Sequence, residues 1–240
     1  MSEKYSTLDR LFVAGEWREG TGDTLKNICP WDESEIFSMK TAQASDVDEA
    51  CKAARQAQGE WAALPPSDFC LIRHGETTAN AQSIIAGVTD VALTARGRDQ
   101  ARALARRRWP QPVTLFASPA ARARETCKLA FAQRGFTVIS ALRERDWGAF
   151  EGQPLSQQPI REDTPEGGES WPAMLDRVAG AIHAACAATP AGHLPVLVCH
   201  SGIIRAARVL WTPHGAGTRP PNAIPILFQR SGTFFEEKEL

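Results

Sequence analysis

The sequence predicts a three-layer α/β/α domain over residues 67–240, preceded by a short N-terminal strand-helix extension over residues 1–66. Three observations lead there. Beyond Pro65-Pro66, short apolar runs alternate with helix-length segments, the pattern of a mostly parallel sheet covered on both faces. Two of those runs, Phe69 to Ile72 and Leu194 to Cys199, are continuously apolar, as strands buried on both faces are. Each run leads into a histidine, His74 after Arg73 in the first and His200 in the second. The carboxyl ends of such strands are where open α/β sheets bind ligands.

The elements follow in order. Leu11 to Trp17 reads as a strand breaking into a turn. Ser45 suits a helix N-cap, and Val47, Ala50, Cys51, Ala54 and Trp61 then recur at helical spacing. Pro65 and Pro66 remove two backbone donors and bias the residue before them to extended structure, so that helix must stop. After strand Phe69–Ile72, a helix is expected from Thr94 to Arg108, a strand from Val113 to Ala117 and a helix from Arg122 to Phe131. Thr137 to Ile139 is a strand. Trp171 to Ala187 is a helix with Pro172 in its first turn, where the missing N–H costs nothing. Leu194–Cys199, a helix from Gly202 to Leu210 and a strand from Ala223 to Phe228 complete the domain. Residues 213–221 form a Gly/Pro-rich loop without chemical signal.

Composition narrows the function. The 240 residues are 43% hydrophobic and 23% charged, with a net charge of −1. That balance gives no electrostatic case for nucleic acid or an anionic membrane. Arg106-Arg107-Arg108 is expected to end a helix, where cations suit the macrodipole. No apolar stretch reaches the roughly 18 residues of a membrane span. The first residues lack the apolar core of a signal peptide. None of the six cysteines forms a C-x-x-C pair, and Cys70 and Cys199 fall in strand-like runs. Reduced thiols and a cytoplasmic location are expected. No His/Cys/Asp cluster has metal-ligand spacing, so neither metal nor cofactor is expected.

The front piece resembles the extreme N-terminus of the aldehyde dehydrogenase superfamily. The resemblance rests on Leu11 to Trp17, on Asn27-Ile28-Cys29-Pro30 and on the helix from Asp46 to Trp61. It ends before that family's dinucleotide-binding sheet, catalytic Cys and general-base Glu, and no G-x-G-x-x-G follows. Dehydrogenase activity is therefore not expected. The apolar face of that helix, Trp61 included, would lack the dehydrogenase body it normally packs against. A homodimer formed through the extension is one expected consequence.

The second piece resembles the histidine phosphatase, or phosphoglycerate mutase-like, superfamily through motifs occurring in order. These are Arg73-His74-Gly75-Glu76-Thr77 with Asn80, then Gly87, Asp90, Leu93-Thr94 and Gly97. Ser118-Pro119 with Arg122-Ala123 and Thr126 follows, then Leu142-Arg143-Glu144-Arg145 with Trp147-Gly148 and Glu151-Gly152, then Gly168-Glu169-Ser170, then Val196 to Gly202. The resemblance implies a phosphoglycerate mutase-like fold and phosphoryl transfer from a small phosphate ester. Such transfer needs an in-line nucleophile, charge on the equatorial oxygens and a proton for the leaving oxygen. It implies His74 as the nucleophile that becomes phosphohistidine, Arg73 and Arg122 as guanidinium forks on phosphate, and His200 on a phosphate oxygen. It places the general acid at Glu144, with Glu76, Asp146 and Glu169 as rivals. Arg73, Asn80, Arg122, Arg145, Glu169 and His200 are the expected substrate-binding set.

Hydrolysis is expected over mutase chemistry. Thr78-Ala79 stands where the family's mutases carry an aromatic, and the stretch from Gly152 to Gly168 is short and polar. A short lid leaves the site open to water. A catalytically idle binding module on the same fold is the alternative from another class. The physiological substrate carries no recognisable code in the sequence.

Overall fold

A computed structural model describes residues 10–62, 67–132 and 134–240. The chain divides into two compact units, Met1–Ala63 and Leu64–Leu240. The expected break at Pro65-Pro66 lies outside the described residues, and so does the side chain of Trp61.

The first unit holds more strand than the sequence suggests. Leu11–Val13 (β1) and Glu16–Arg18 (β2) pair antiparallel through Ala14 (φ 54°) and Gly15 (φ 90°). Two successive positive φ values match the twist of a two-residue hairpin, so the single expected strand is a tight hairpin. Thr24–Ile28 (β3) and Glu35–Lys40 (β4) form a second hairpin, absent from the sequence reading. The helix, α1, spans Ala44–Ala62 and does not use Ser45 as its cap. The Gln43 carbonyl accepts the first helical N–H groups, and Asp46 Oδ2 accepts the Gln43 N–H at 2.9 Å. Asp46 also accepts Thr21 N–H, Thr21 Oγ1 and Arg18, which explains its burial. These partners lie far away in sequence, where local cap rules do not reach.

The second unit is a six-stranded sheet. Its strands are Phe69–Arg73 (β5), Val113–Ala117 (β6), Thr137–Val138 (β7), Leu194–Cys199 (β8), Pro225–Ser231 (β9) and Phe234–Glu239 (β10). They lie in the order β10-β9-β5-β8-β6-β7. β5, β8, β6 and β7 run parallel, and the β9–β10 hairpin closes one side antiparallel. The helices are Thr78–Ala81 (α2), Ala95–Leu104 (α3), Ala121–Ala130 (α4), Trp171–Ala187 (α5) and Ser201–Trp211 (α6).

Alternation along the central strands explains the three layers. Phe69, Leu71, Leu197 and Cys199 face Met174, Val178, Ile182, Ile203 and Ile204 of α5 and α6. Cys70, Ile72, Val196 and Val198 face Leu104, Ala123 and Cys127 of α3 and α4. Every residue of β5 and β8 is buried, as two-sided coverage requires. α3 ends at Leu104, so Arg106 to Arg108 lie beyond it rather than in its last turn. Thr94 Oγ1 caps that helix through the Gly97 N–H. β9, expected from Ala223 as the closing strand, starts at Pro225 because Ala223 takes φ 53° and donates its N–H to the Arg73 carbonyl, and β10 follows it.

Candidate active site

The site begins with strand register. β5 and β8 pair in parallel with Arg73 opposite Cys199. The His74 N–H continues that ladder to the Cys199 carbonyl at 3.0 Å. His74 and His200 therefore leave the sheet side by side, with ring centroids 5.2 Å apart and planes tilted by 64°. His74 Nδ1 lies 2.8 Å from the Gly75 carbonyl, which can only accept, so Nδ1 carries the proton and Nε2 keeps its lone pair. Gly75 is required there: a Cβ would strike the Gly97 carbonyl, just as one on Gly97 would strike that of Glu76.

Two buried nitrogens around His74 have no protein partner among the described residues. One is Arg73 Nε, although its Nη1 donates to the Pro220 carbonyl at 2.8 Å. Burial, and secondarily the Arg219 charge, bring Arg73 down to about 10, so it stays cationic at neutral pH. The other is His200 Nδ1. His200 Nε2 lies 2.7 Å from Ser118 Oγ, a hydroxyl that also accepts the Ala120 N–H. In the tautomer where Ser118 donates to Nε2, Nδ1 bears the ring hydrogen and has no acceptor among the described residues. Buried donors are nearly always satisfied, and an anionic oxygen beside His74 would satisfy both.

Arg122, on α4, is almost wholly buried. Its Nη2 and Nη1 donate to the carbonyls of Gly87 (2.6 Å) and Thr89 (2.9 Å). The opposite edge of that loop is held by Glu151, which accepts the N–H groups of Gly87, Val88 and Thr89. A Cβ at Gly87 would collide with the Arg145 carbonyl. Glu144 sits at the start of α6, with Oε1 accepting the Arg145 N–H and Oε2 the Gly202 N–H, each at 2.9 Å. Any side chain at Gly202 would overlap that carboxylate. Asn80 and Thr77 exchange bonds in a capping box, and Asn222 Nδ2 bridges Asn80 Oδ1 to the His74 carbonyl.

A cavity of about 440 Å³ opens over this floor, lined by Arg73, His74, Asn80 and Glu144 among others. Residues 69–222 match the family model described as "Histidine phosphatase superfamily (branch 1)". The chain belongs to the histidine phosphatase superfamily. The "Probable phosphoglycerate mutase GpmB" of Klebsiella pneumoniae subsp. pneumoniae is 34% identical over 146 residues, which covers 54% of this chain and 67% of that protein. Among solved structures, a phosphoglycerate mutase from Thermus thermophilus is 28% identical with a TM-score of 0.59, covering 72% of this chain and 98% of that one. The Mycobacterium tuberculosis reading frame Rv3214, 24% identical, shares the fold with a TM-score of 0.64 over 72% of this chain and 96% of that one. Residues 17–74 match the aldehyde dehydrogenase family, overlapping the first match from Phe69 to His74. A vanillin dehydrogenase from Corynebacterium glutamicum is 46% identical over 71 residues, 28% of this chain but 15% of that enzyme.

In this member of the superfamily the expected motif residues occupy two environments. Arg73, His74, Asn80 and Glu144 line the cavity, while His200 and Arg122 are buried behind it. Two of the expected binding residues have protein partners of their own. Arg145 lines the wall, and its Nε, Nη1 and Nη2 each donate one bond, to the carbonyls of Glu169, Arg161 and Asp163. It braces the segment that covers the cavity. Glu169 does not line the cavity, and its carboxylate pairs with Arg177 at 2.6 Å and Arg143 at 3.0 Å. Of the carboxylates weighed as acids, only Glu144 reaches the cavity. Asp146 accepts the Gly148 N–H, and Glu76 is held by Thr94 and Arg96. Glu162, Arg161, Arg205 and Arg219 also line the cavity and had no motif to announce them. Ser118 and Glu151 fell inside motifs without a role, and Asn222 outside all of them.

The buried rings make stability pH-dependent. Burial, then the nearby Arg122 charge, pushes His74 down to about 3, and the same causes in the same order push His200 well below its usual 6.5. The unfolded chain therefore takes up these protons first as pH falls. The stabilisation is full above about 6.5 and declines through the window from 6.5 toward 3. From His74 alone the loss between pH 7.5 and pH 5 is about 2 kcal/mol, and His200 acts in the same direction. Urea midpoints at the two pH values measure it. Equal midpoints would mean that these rings are not buried in neutral form.

Proposed function

We propose that the chain is a phosphomonoester hydrolase acting through a phosphohistidine at His74. The observation that carries this reading is the His74 ring itself, neutral, with Nδ1 tied to Gly75 and the Nε2 lone pair free. Nε2 attacks phosphorus, the ester P–O bond breaks, and Glu144 gives its proton to the leaving oxygen. Water then attacks the phosphohistidine, Glu144 takes back a proton, the P–N bond breaks, and inorganic phosphate leaves. Arg73, Arg122 and His200 are the groups that would meet the three equatorial oxygens, with Asn80 beside them. The arginines carry the positive charge that a metal supplies elsewhere.

Water is the expected acceptor because Thr78 and Ala79 put no aromatic beside the nucleophile and the 152–168 cover is short. The mutase reading draws on the printed names of the Klebsiella and Thermus relatives. Product analysis separates the two. Release of inorganic phosphate, with the 18O label of the solvent appearing in it, supports hydrolysis. An isomerised ester without free phosphate would replace the reading by mutase chemistry.

The lining residues of the cavity all fall between Arg73 and Arg219, inside the second unit. A chain starting at Ser67 should therefore hydrolyse an aryl phosphate within about threefold of full length. Full-length protein should reduce no nicotinamide cofactor with aldehydes. An insoluble or inactive truncated chain would make the front piece an integral part of the phosphatase.

A further inference from the structure

We propose that the same cavity holds a second anion subsite, formed by Arg161, Arg205 and Arg219, and that it selects phosphomonoesters bearing a further carboxylate or phosphate. The inference rests on the phosphoryl group lying at His74, as proposed above, and adds what the rest of the substrate must carry. All three arginines line the cavity. None has a carboxylate within ion-pair distance among the described residues.

Nearby arginines behave differently. Arg208, three residues beyond Arg205 on α6, is paired with Glu237 through Nε at 2.6 Å and Nη2 at 2.5 Å. Arg177 and Arg143 share Glu169. Arg205 has only a 3.2 Å bond from Nη2 to the Gly217 carbonyl, and its buried Nε has no partner among the described residues. Arg219 makes no hydrogen bond or ion pair among the described residues. Arg161 lies over the Trp171 ring at 5.1 Å, which fixes its plane without neutralising it.

The carboxylates of the cavity balance this charge only in part: Glu144 acts on Arg205 and Glu162 on Arg161 through space, without ion-pair contact among the described residues. Glu144 spends its oxygens on two backbone N–H groups. Glu162 forms no ion pair with any of the three arginines among the described residues. The charges are also close enough to feel one another: after burial, Arg161 and Arg219 are the leading causes holding Arg205 below its usual value, and Arg219 acts on Arg73 as well. The subsite thus adjoins the phosphoryl site. Unpaired guanidinium groups crowded in a cavity repel one another, and a planar or tetrahedral oxyanion relieves the repulsion while matching their fork geometry.

Phosphonates resist hydrolysis, so binding to full-length protein can be read without turnover. Calorimetric titration with 3-phosphonopropionate and with propylphosphonate compares two ligands of similar size that differ in one carboxylate. The expected result is at least about tenfold tighter binding of the carboxylate ligand, a difference of about 1.4 kcal/mol. The ratio should collapse toward one in Arg205→Gln and in Arg219→Gln, and should shrink with added salt. Arg219 is exposed on a loop, so its replacement keeps the test open if Arg205→Gln folds poorly. Propane-1,3-diphosphonate forms the other arm, and the tighter of the two doubly anionic ligands names the second anion. A ratio near one in the unaltered protein, or a ratio that survives both substitutions, overturns the subsite. Failure to hydrolyse any ester would remove the proposed function and leave the binding ratio intact, so the two failures are distinguishable.

Discussion

His74→Ala lowers turnover by at least about three orders of magnitude, because a covalent route loses its nucleophile altogether. The same substitution abolishes acid-labile phosphate on the protein after brief exposure to substrate. Alanine leaves the backbone ladder to Cys199 in place, since that bond uses the His74 N–H. It also removes a buried ring whose only polar side-chain contact among the described residues is the neighbouring Gly75 carbonyl. Loss of activity with a normal melting profile would therefore report chemistry rather than folding. Retention of more than about a tenth of the activity would move the nucleophile elsewhere, most simply to water.

Glu144→Gln separates leaving groups. An alkyl phosphate expels a strongly basic oxygen and needs the proton, so its kcat/KM should fall by about 10² to 10⁴. An aryl phosphate leaves as a stable phenolate and should lose about tenfold or less. The ratio of the two losses is the informative quantity. Both Glu144 oxygens face backbone N–H groups, from Arg145 and Gly202, so the glutamine must turn its own N–H₂ toward one of these donors. Misplacement of that kind slows all substrates alike. Equal losses on alkyl and aryl esters would make Glu144 a structural anchor of the α6 N-terminus and leave the acid unassigned.

The legible part of this molecule is the part written in local patterns. β6, β8 and α5 span the residues that apolar runs and a first-turn proline indicate, Val113–Ala117, Leu194–Cys199 and Trp171–Ala187. β10 was not legible because Phe234 to Glu239 is mostly exposed and charged, and only Phe235 is fully buried. β3 and β4 were missed for a related reason, since their residues are largely exposed and carry little alternation. In the site, the histidines, Arg73, Arg122, Asn80 and Glu144 belong to contiguous motifs. What spacing could not convey was the pairing of distant groups. Arg145 and Arg122 look alike as isolated arginines. One donates from all three nitrogens to the carbonyls of Arg161, Asp163 and Glu169, and the other holds the Gly87–Thr89 loop through two.

The order of strands also dictates when the site can exist. β5, which delivers His74, has β8 and β9 as its sheet neighbours, and both come from the far end of the domain. A chain emerging from the ribosome leaves both edges of β5 unpaired throughout synthesis of β6, β7 and α5. The nucleophile acquires its partner His200 and its Asn222 tether only near the close of that synthesis. Such nonlocal pairing is slow because loop closure must precede any reward from contact. The two unsatisfied edges in the interval are templates for pairing with another chain. Expression yield should therefore respond to chaperone supply and growth temperature more than the modest size of the domain would imply.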